Sequence, residues 1–232
     1  MAEDQTSGVD EKSAARKAFA ALIGSWIFLP AFFLTSGRSL DWWGAWAWCA
    51  VVLVPSTIFG LRMFRKDPAF IIRRMKMREK QKTQRRIAAI GIPFYLAALA
   101  LPGLDRRFGW SEIPAAAVIA GLALSLAGYL LILRVFSENR WAGRTIETWE
   151  GQQVVSTGPY AVVRHPMYTG ALVLWLATPL ALGSWWALLP ALASIPLMAL
   201  RIRNEEEVLV SELEGYEEYR RKVRYRLLPL VW

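Results

Sequence analysis

The chain has 232 residues, of which 55% are hydrophobic, and its mean hydropathy is +0.27. That is too apolar for an ordinary water-soluble domain. A single cysteine, Cys49, and a single histidine, His165, exclude an intrachain disulfide and leave no metal-ligand cluster of thiols or imidazoles. The net charge of +9 lies between two apolar blocks, a membrane pattern rather than a nucleic-acid one, and no nucleic-acid partner is expected.

In chain order, residues 1–16 read as a disordered tail; Met1–Lys12 is polar and acidic, unlike the basic start of a secretory signal. Ala18–Leu34 is the first apolar block, preceded by Arg16 and Lys17 and interrupted at Pro30. Trp42–Leu61, with Pro55 inside, is the second. Both approach the roughly 20 residues needed to cross a bilayer core. Proline is tolerated in such helices when neighbours satisfy the freed carbonyl.

Arg62–Arg86 follows, with eleven Lys/Arg against Asp67 and Glu79, so its excess equals the charge of the whole chain. A basic run joining two membrane helices is cytoplasmic by the positive-inside rule and meets anionic headgroups. Phe70, Ile71, Ile72, Met75 and Met77 interleave with the bases, so part of this loop is expected to lie on the membrane as a helix.

Ile87–Leu104, kinked near Pro93, and Ile113–Leu133 are the third and fourth blocks, joined by the turn Asp105–Glu112. A long polar connection from Arg134 to Tyr168 carries Glu138, Asn139, Arg140, Arg144, Glu147 and Glu150, and connections this long are usually functional. Thr169–Leu182 and Trp185–Leu200, broken at Gly183-Ser184, form a tight apolar hairpin. Arg201–Val223 reads as a charged amphipathic helix and Leu227–Trp232 as an apolar tail.

The fold class is therefore an all-α integral membrane protein with about six membrane helices. The last two make the hairpin, and a cytoplasmic helix follows them. An even number of crossings puts the basic loop, the polar connection and the C-terminal helix on one side. Trp26, Trp42, Trp43, Trp110, Trp141, Trp185 and Trp186 lie near block ends, as in interfacial aromatic belts. Residues 17–133 form the N-terminal membrane part with its basic loop 62–86, and residues 134–232 the region carrying chemistry.

Two polar clusters flank the hairpin. One is the stretch Gly-Pro-Tyr-Ala-Val-Val-Arg-His-Pro-Met-Tyr-Thr-Gly over residues 158–170, shaped by two prolines and two glycines and holding Arg164 and His165. The other comprises Arg201, Arg203, Glu205, Glu206 and Glu207, with Arg201 and Glu205 on one helix face. Taken singly, each reads as an interfacial anchor or a solvated helix face. Together, at the boundary of a packed bundle, they are functional candidates. The chain lacks a G-x-G-x-x-G fingerprint and a G-x-S-x-G elbow.

The 158–170 stretch, the hairpin, Arg201-x-x-x-Glu205-Glu206-x-x-Leu209 and Tyr216-x-x-Tyr219 resemble the isoprenylcysteine carboxyl methyltransferase family and the related phospholipid methyltransferases. The resemblance covers residues 134–232; where the family often has an aromatic-Gly pair after Leu209, this chain has Leu213-Glu214-Gly215. It implies S-adenosylmethionine as cofactor, held without a Rossmann domain in a cytoplasm-facing pocket. Carried over by residue, Tyr160, His165, Pro166, Tyr168, Gly170 and Glu205 would bind the cofactor, and Arg164 and Glu206 would act at the transferred methyl. The implied acceptor is a lipophilic, membrane-embedded molecule, by resemblance the carboxyl of an isoprenylcysteine. A phospholipid or other amine is the alternative within the class. An NADPH-dependent membrane reductase related to sterol reductases is the alternative outside it, and a non-catalytic scaffold is a third. On this reading Arg164→Ala and Glu206→Ala abolish transfer without unfolding the protein.

Overall fold

A computed structural model describes residues 2–75, 79, 81–143, 145, 146 and 148–232. Met77, Arg144 and Glu147 lie outside the described residues, as do the side chains of Ile72 and Met75. Among the described residues all regular structure is helical. The helices are α1 (Ala2–Gly37), α2 (Trp43–Lys66), α3 (Pro68–Met75), α4 (Lys82–Phe108), α5 (Ala115–Glu138), α6 (Pro166–Ala181), α7 (Leu188–Ala193), α8 (Ile195–Glu212) and α9 (Tyr216–Lys222).

Four of these are long and apolar enough to cross a membrane: Arg16–Gly37 within α1, and α2, α4 and α5. Their outward faces expose Ile27, Phe28, Ile58, Leu96 and Ile119, side chains that water would penalise and hydrocarbon would not. The sixteen-residue α6 reaches about 24 Å at 1.5 Å per residue, short of a hydrocarbon core of roughly 30 Å.

The hairpin differs from the sequence reading on its return arm. Trp185–Leu200 is not one helix: α7 ends at Ala193, Ser194 intervenes, and α8 starts with Pro196 near its N-terminus. Ser194 Oγ bonds to the Ala191 carbonyl (2.7 Å) and accepts the Trp175 indole N–H (3.0 Å), which stabilises the break. The expected boundary between Leu200 and Arg201 is absent. α8 runs from apolar Ile195–Leu200 straight into the charged residues, because nothing there removes a backbone donor. It stops instead before Gly215 (φ +80°), a conformation that only glycine adopts cheaply.

Hydrogen bonds place the two ends of the bundle. At one end the turns meet: the Trp42 indole donates to the Leu182 carbonyl (3.0 Å), while Ser111 and Ser184 both donate to Asp105. At the other end the Arg74 guanidinium donates to the Gly143 carbonyl (3.0 Å), the Ile146 N–H to Glu79 (3.1 Å), Gln84 to Asn204 (2.7 Å) and Thr148 to Glu212 (2.7 Å). The basic loop, the polar connection and α8 therefore share one end, as an even number of crossings requires. Within the loop, α3 packs on α1 and α2, and Phe70 is buried against the rings of Phe59 and Phe136.

The closest helix pair is α5 with α6, joined through small residues as membrane interfaces often are. A Cβ on Gly170 would lie 2.6 Å from the Gly128 carbonyl oxygen, and one on Gly128 would lie 2.6 Å from the Gly170 oxygen. Gly170→Val is expected to destabilise the purified protein by about 1–3 kcal/mol through overpacking. Thermal unfolding in detergent measures this; an unchanged midpoint would remove the close crossing as a stability element.

Candidate active site

The loop before α6 owes its shape to its own sequence and to the C-terminal tail. A 3-10 turn spans Gly158–Ala161, with Gly158 at φ +55°. The backbone then pairs with the tail: Arg164 N donates to the Tyr225 carbonyl and His165 N to the Arg226 carbonyl, both at 2.9 Å. His165 takes the N-cap position of α6 and Pro166 follows in the first turn, where a missing N–H costs no hydrogen bond. The Thr169 hydroxyl donates to the Leu227 carbonyl (2.8 Å) and the Tyr219 hydroxyl to the Tyr160 carbonyl (2.8 Å). The tail and α9 thus fix the loop that carries Arg164 and His165.

Glu206, only 3% exposed, is the electrostatic centre of this arrangement. Its Oε1 accepts from Arg164 Nε (2.6 Å) and lies 3.3 Å from His165 Nε2; its Oε2 accepts from Arg226 Nε (2.7 Å). Arg164 Nη1 also donates to the carbonyls of Val223 and Arg224, both at 2.8 Å. Arg164 Nη2 has no protein partner among the described residues. Burial raises the Glu206 carboxyl, but the hydrogen bonds from His165, Arg164 and Arg226 overcome it and hold the group down at about 2.

This carboxyl therefore titrates lower in the folded protein than the ordinary 4.5. Its contribution is complete above about 4.5 and is lost as pH falls through about 2, amounting to about 3 kcal/mol. Acid titration of tryptophan fluorescence should show that loss, and Glu206→Gln should flatten it.

A second chain of hydrogen bonds runs beside the first. Tyr168 OH donates to Glu205 Oε2 (2.7 Å) and accepts from Arg201 Nε (2.9 Å), while Arg201 Nη1 donates to Gln84 Oε1 (3.1 Å). Gln84, fully buried on α4, returns a bond to the Arg201 carbonyl (3.1 Å). Glu205 Oε1 lies 3.9 Å from His165 Nδ1.

Between these networks and the polar connection lies a cleft. Arg164, His165, Tyr160, Tyr168 and Glu205 line it. So do Arg201, Trp141, Tyr216, Tyr219 and the apolar Met167, Val208, Leu209 and Leu213. Residues of the connection, from Asn139 to Val155, close one side.

Five of the eight residues named from sequence thus meet at one cleft. Glu206 stands behind its wall, oriented towards Arg164, His165 and Arg226 rather than the open space. Pro166 is buried in the first turn of α6, and Gly170 sits at the crossing with α5. Sequence reasoning left Tyr216, Tyr219, Trp141 and Arg226 out of the site. The Tyr216-x-x-Tyr219 spacing could have signalled the first two, since residues three apart share a helix face. Nothing in the sequence singles out Arg226.

Four helices long and apolar enough to cross a membrane, with a charged, hydrogen-bonded cleft at one end, define a multi-pass membrane protein. Residues 116–215 match the phospholipid methyltransferase family, and over that region the resemblance read from the Arg-His-Pro loop and the paired glutamates holds. Over 72 residues it is 42% identical to a protein-S-isoprenylcysteine O-methyltransferase of Schizosaccharomyces pombe, covering 30% of each chain. Over 92 residues it is 35% identical to the Delta(14)-sterol reductase TM7SF2 of Mus musculus, covering 38% of this chain and 22% of that protein. The chain spans less than a third of the length of either relative.

Proposed function

We propose that this protein transfers a methyl group from S-adenosylmethionine to a lipophilic acceptor held in the membrane. The carboxyl of an isoprenylcysteine-like molecule is the preferred acceptor. The observation that carries this reading is the cleft itself, where aromatic faces, a carboxylate and an anchored guanidinium converge beside apolar side chains.

The residues present fit the cofactor. A sulfonium cation is attracted to aromatic faces, which Tyr160, Tyr168 and Tyr216 supply. Glu205 can hold the ammonium of an amino-acid end, and Arg164 Nη2 can receive a carboxylate. When bound, the cofactor supplies an electrophilic methyl group. Arg164 and His165, held by Glu206, orient the acceptor, and Trp141 with the polar connection excludes water. A carboxylate acceptor is already ionised at neutral pH and needs no base. An amine acceptor would need one, and His165, hydrogen-bonded to Glu206, is the candidate.

The excess of eleven cations over two acids in residues 62–86 favours a cytoplasmic cleft in contact with anionic headgroups. Lipid would then enter from the bilayer and the cofactor from the cytoplasm. The likeness to a sterol reductase supports a second reading, reduction with a nicotinamide cofactor. Calorimetry with the detergent-purified protein separates the two. Micromolar binding of S-adenosylhomocysteine, weakened in Arg164→Ala, is the expected result. Binding of NADPH with no response to S-adenosylhomocysteine would reject methyl transfer.

A further inference from the structure

Tyr216 is 4% exposed and lines the cleft, yet its hydroxyl makes no hydrogen bond among the described residues. Every other tyrosine hydroxyl of the cleft is committed: Tyr160 to Asn139, Tyr168 to Glu205 and Arg201, Tyr219 to the Tyr160 carbonyl. Leaving one buried hydroxyl unpaired is costly, and phenylalanine would fill the same space without that cost.

No acceptor nearby is placed to serve it in this structure. Both Glu206 oxygens are taken by Arg164, His165 and Arg226, and Glu205 Oε2 is taken by Tyr168. Burial, and then the Glu206 and Glu205 charges, raise the Tyr216 phenol well above its ordinary range, so it remains a proton donor at neutral pH. Arg164 is also near enough for its charge to act on that phenol, and its Nη2 is likewise without a protein partner. The cleft therefore presents two donors without a protein acceptor among the described residues, the Tyr216 hydroxyl and Arg164 Nη2, the guanidinium being paired with Glu206 through Nε.

We infer that the Tyr216 hydroxyl and Arg164 Nη2 together form a binding site for a ligand carboxylate. This rests on the methyltransferase reading and deepens it. The carboxylate belongs either to the amino-acid end of the cofactor or to the methyl-accepting molecule. A carboxylate between the two donors receives one bond from each, and the hydroxyl gains the partner that the protein withholds. The site discriminates against an ester or amide, which carries no charge for Arg164.

The test is Tyr216→Phe, read in three ways on the detergent-purified protein. In ligand-free protein its thermal midpoint should stay level or rise, since only an unpaired hydroxyl is removed. Calorimetry with S-adenosylhomocysteine gives the cofactor arm. The KM for N-acetyl-S-farnesylcysteine, with its carboxamide as competitive inhibitor, gives the acceptor arm. A roughly 10- to 100-fold weakening is expected in one arm, matching a lost hydrogen bond to a charged group. Weakening of S-adenosylhomocysteine binding places the carboxylate on the cofactor. A raised KM, with the carboxamide's inhibition unchanged, places it on the acceptor. If both arms match wild type, the Tyr216 assignment is overturned while the methyltransferase reading survives. If wild-type protein binds neither S-adenosylhomocysteine nor the prenylated cysteine, both fall together.

Discussion

Glu206→Ala is expected to abolish methyl transfer and also to lower the thermal midpoint by about 10 °C. The second effect departs from the sequence reading, which expected activity to fall with the fold intact. The reason is the number of groups that one carboxylate satisfies. Arg164 is 7% exposed, and its Nε is paired with Glu206; Arg226 and His165 lean on the same two oxygens. Removing the anion leaves the buried Arg164 guanidinium uncompensated, and breaking a buried ion pair in this way costs about 3–5 kcal/mol. For a chain of this size each kcal/mol moves the midpoint by about 2–4 °C. Glu206→Gln retains acceptor capacity on one side and should cost less. A thermal midpoint of Glu206→Ala within 2 °C of wild type, set against the expected fall of about 10 °C, would show that Glu206 does not hold the loop and tail together.

Much of this architecture was legible because the bilayer imposes a length on each element. The four blocks ending near Leu34, Leu61, Leu104 and Leu133 appear as α1, α2, α4 and α5, each running further than its apolar core. Helices continue into water when no Gly or Pro stops them, so composition marked the membrane boundary and not the helix end. The same distinction explains α8. Arg201 begins a change of solvent, whereas the helix persists to Glu212. The break that does occur, at Ser194, lies inside what reads as uniform apolar sequence.

The site was legible in part for a different reason. Arg164, His165, Tyr160, Tyr168 and Glu205 stood out because prolines and glycines shaped their loop and because two charge clusters flanked one hairpin. What sequence does not give is direction. Adjacent residues on a helix point about 100° apart, so Glu205 and Glu206 face different neighbours, one towards the cleft and one towards Arg164 and Arg226. Arg226 was hidden because its importance comes from the tail folding back onto the 164–169 backbone, a pairing with no local signature.

Arg164→Lys is expected to lower methyl transfer by about 100-fold while retaining most of the stability that Glu206→Ala loses. Lysine keeps a positive charge beside Glu206, so the buried carboxylate stays partnered. It cannot keep the geometry. Arg164 uses Nε for Glu206 and Nη1 for the carbonyls of Val223 and Arg224, which leaves Nη2 for a ligand. An ammonium is a single point of charge on a flexible stem and cannot occupy those positions at once. Pairing with Glu206 withdraws it from the cleft, and reaching into the cleft abandons Glu206. The loss should appear in kcat as well as KM, because a misplaced acceptor carboxylate reacts slowly even when bound. Combined with Tyr216→Phe, the loss should be less than the product of the two single effects if both side chains hold one carboxylate. Turnover by Arg164→Lys within about threefold of wild type, against the roughly 100-fold loss expected from misplacement, would mean that charge alone suffices and that the anchored guanidinium has no positioning role.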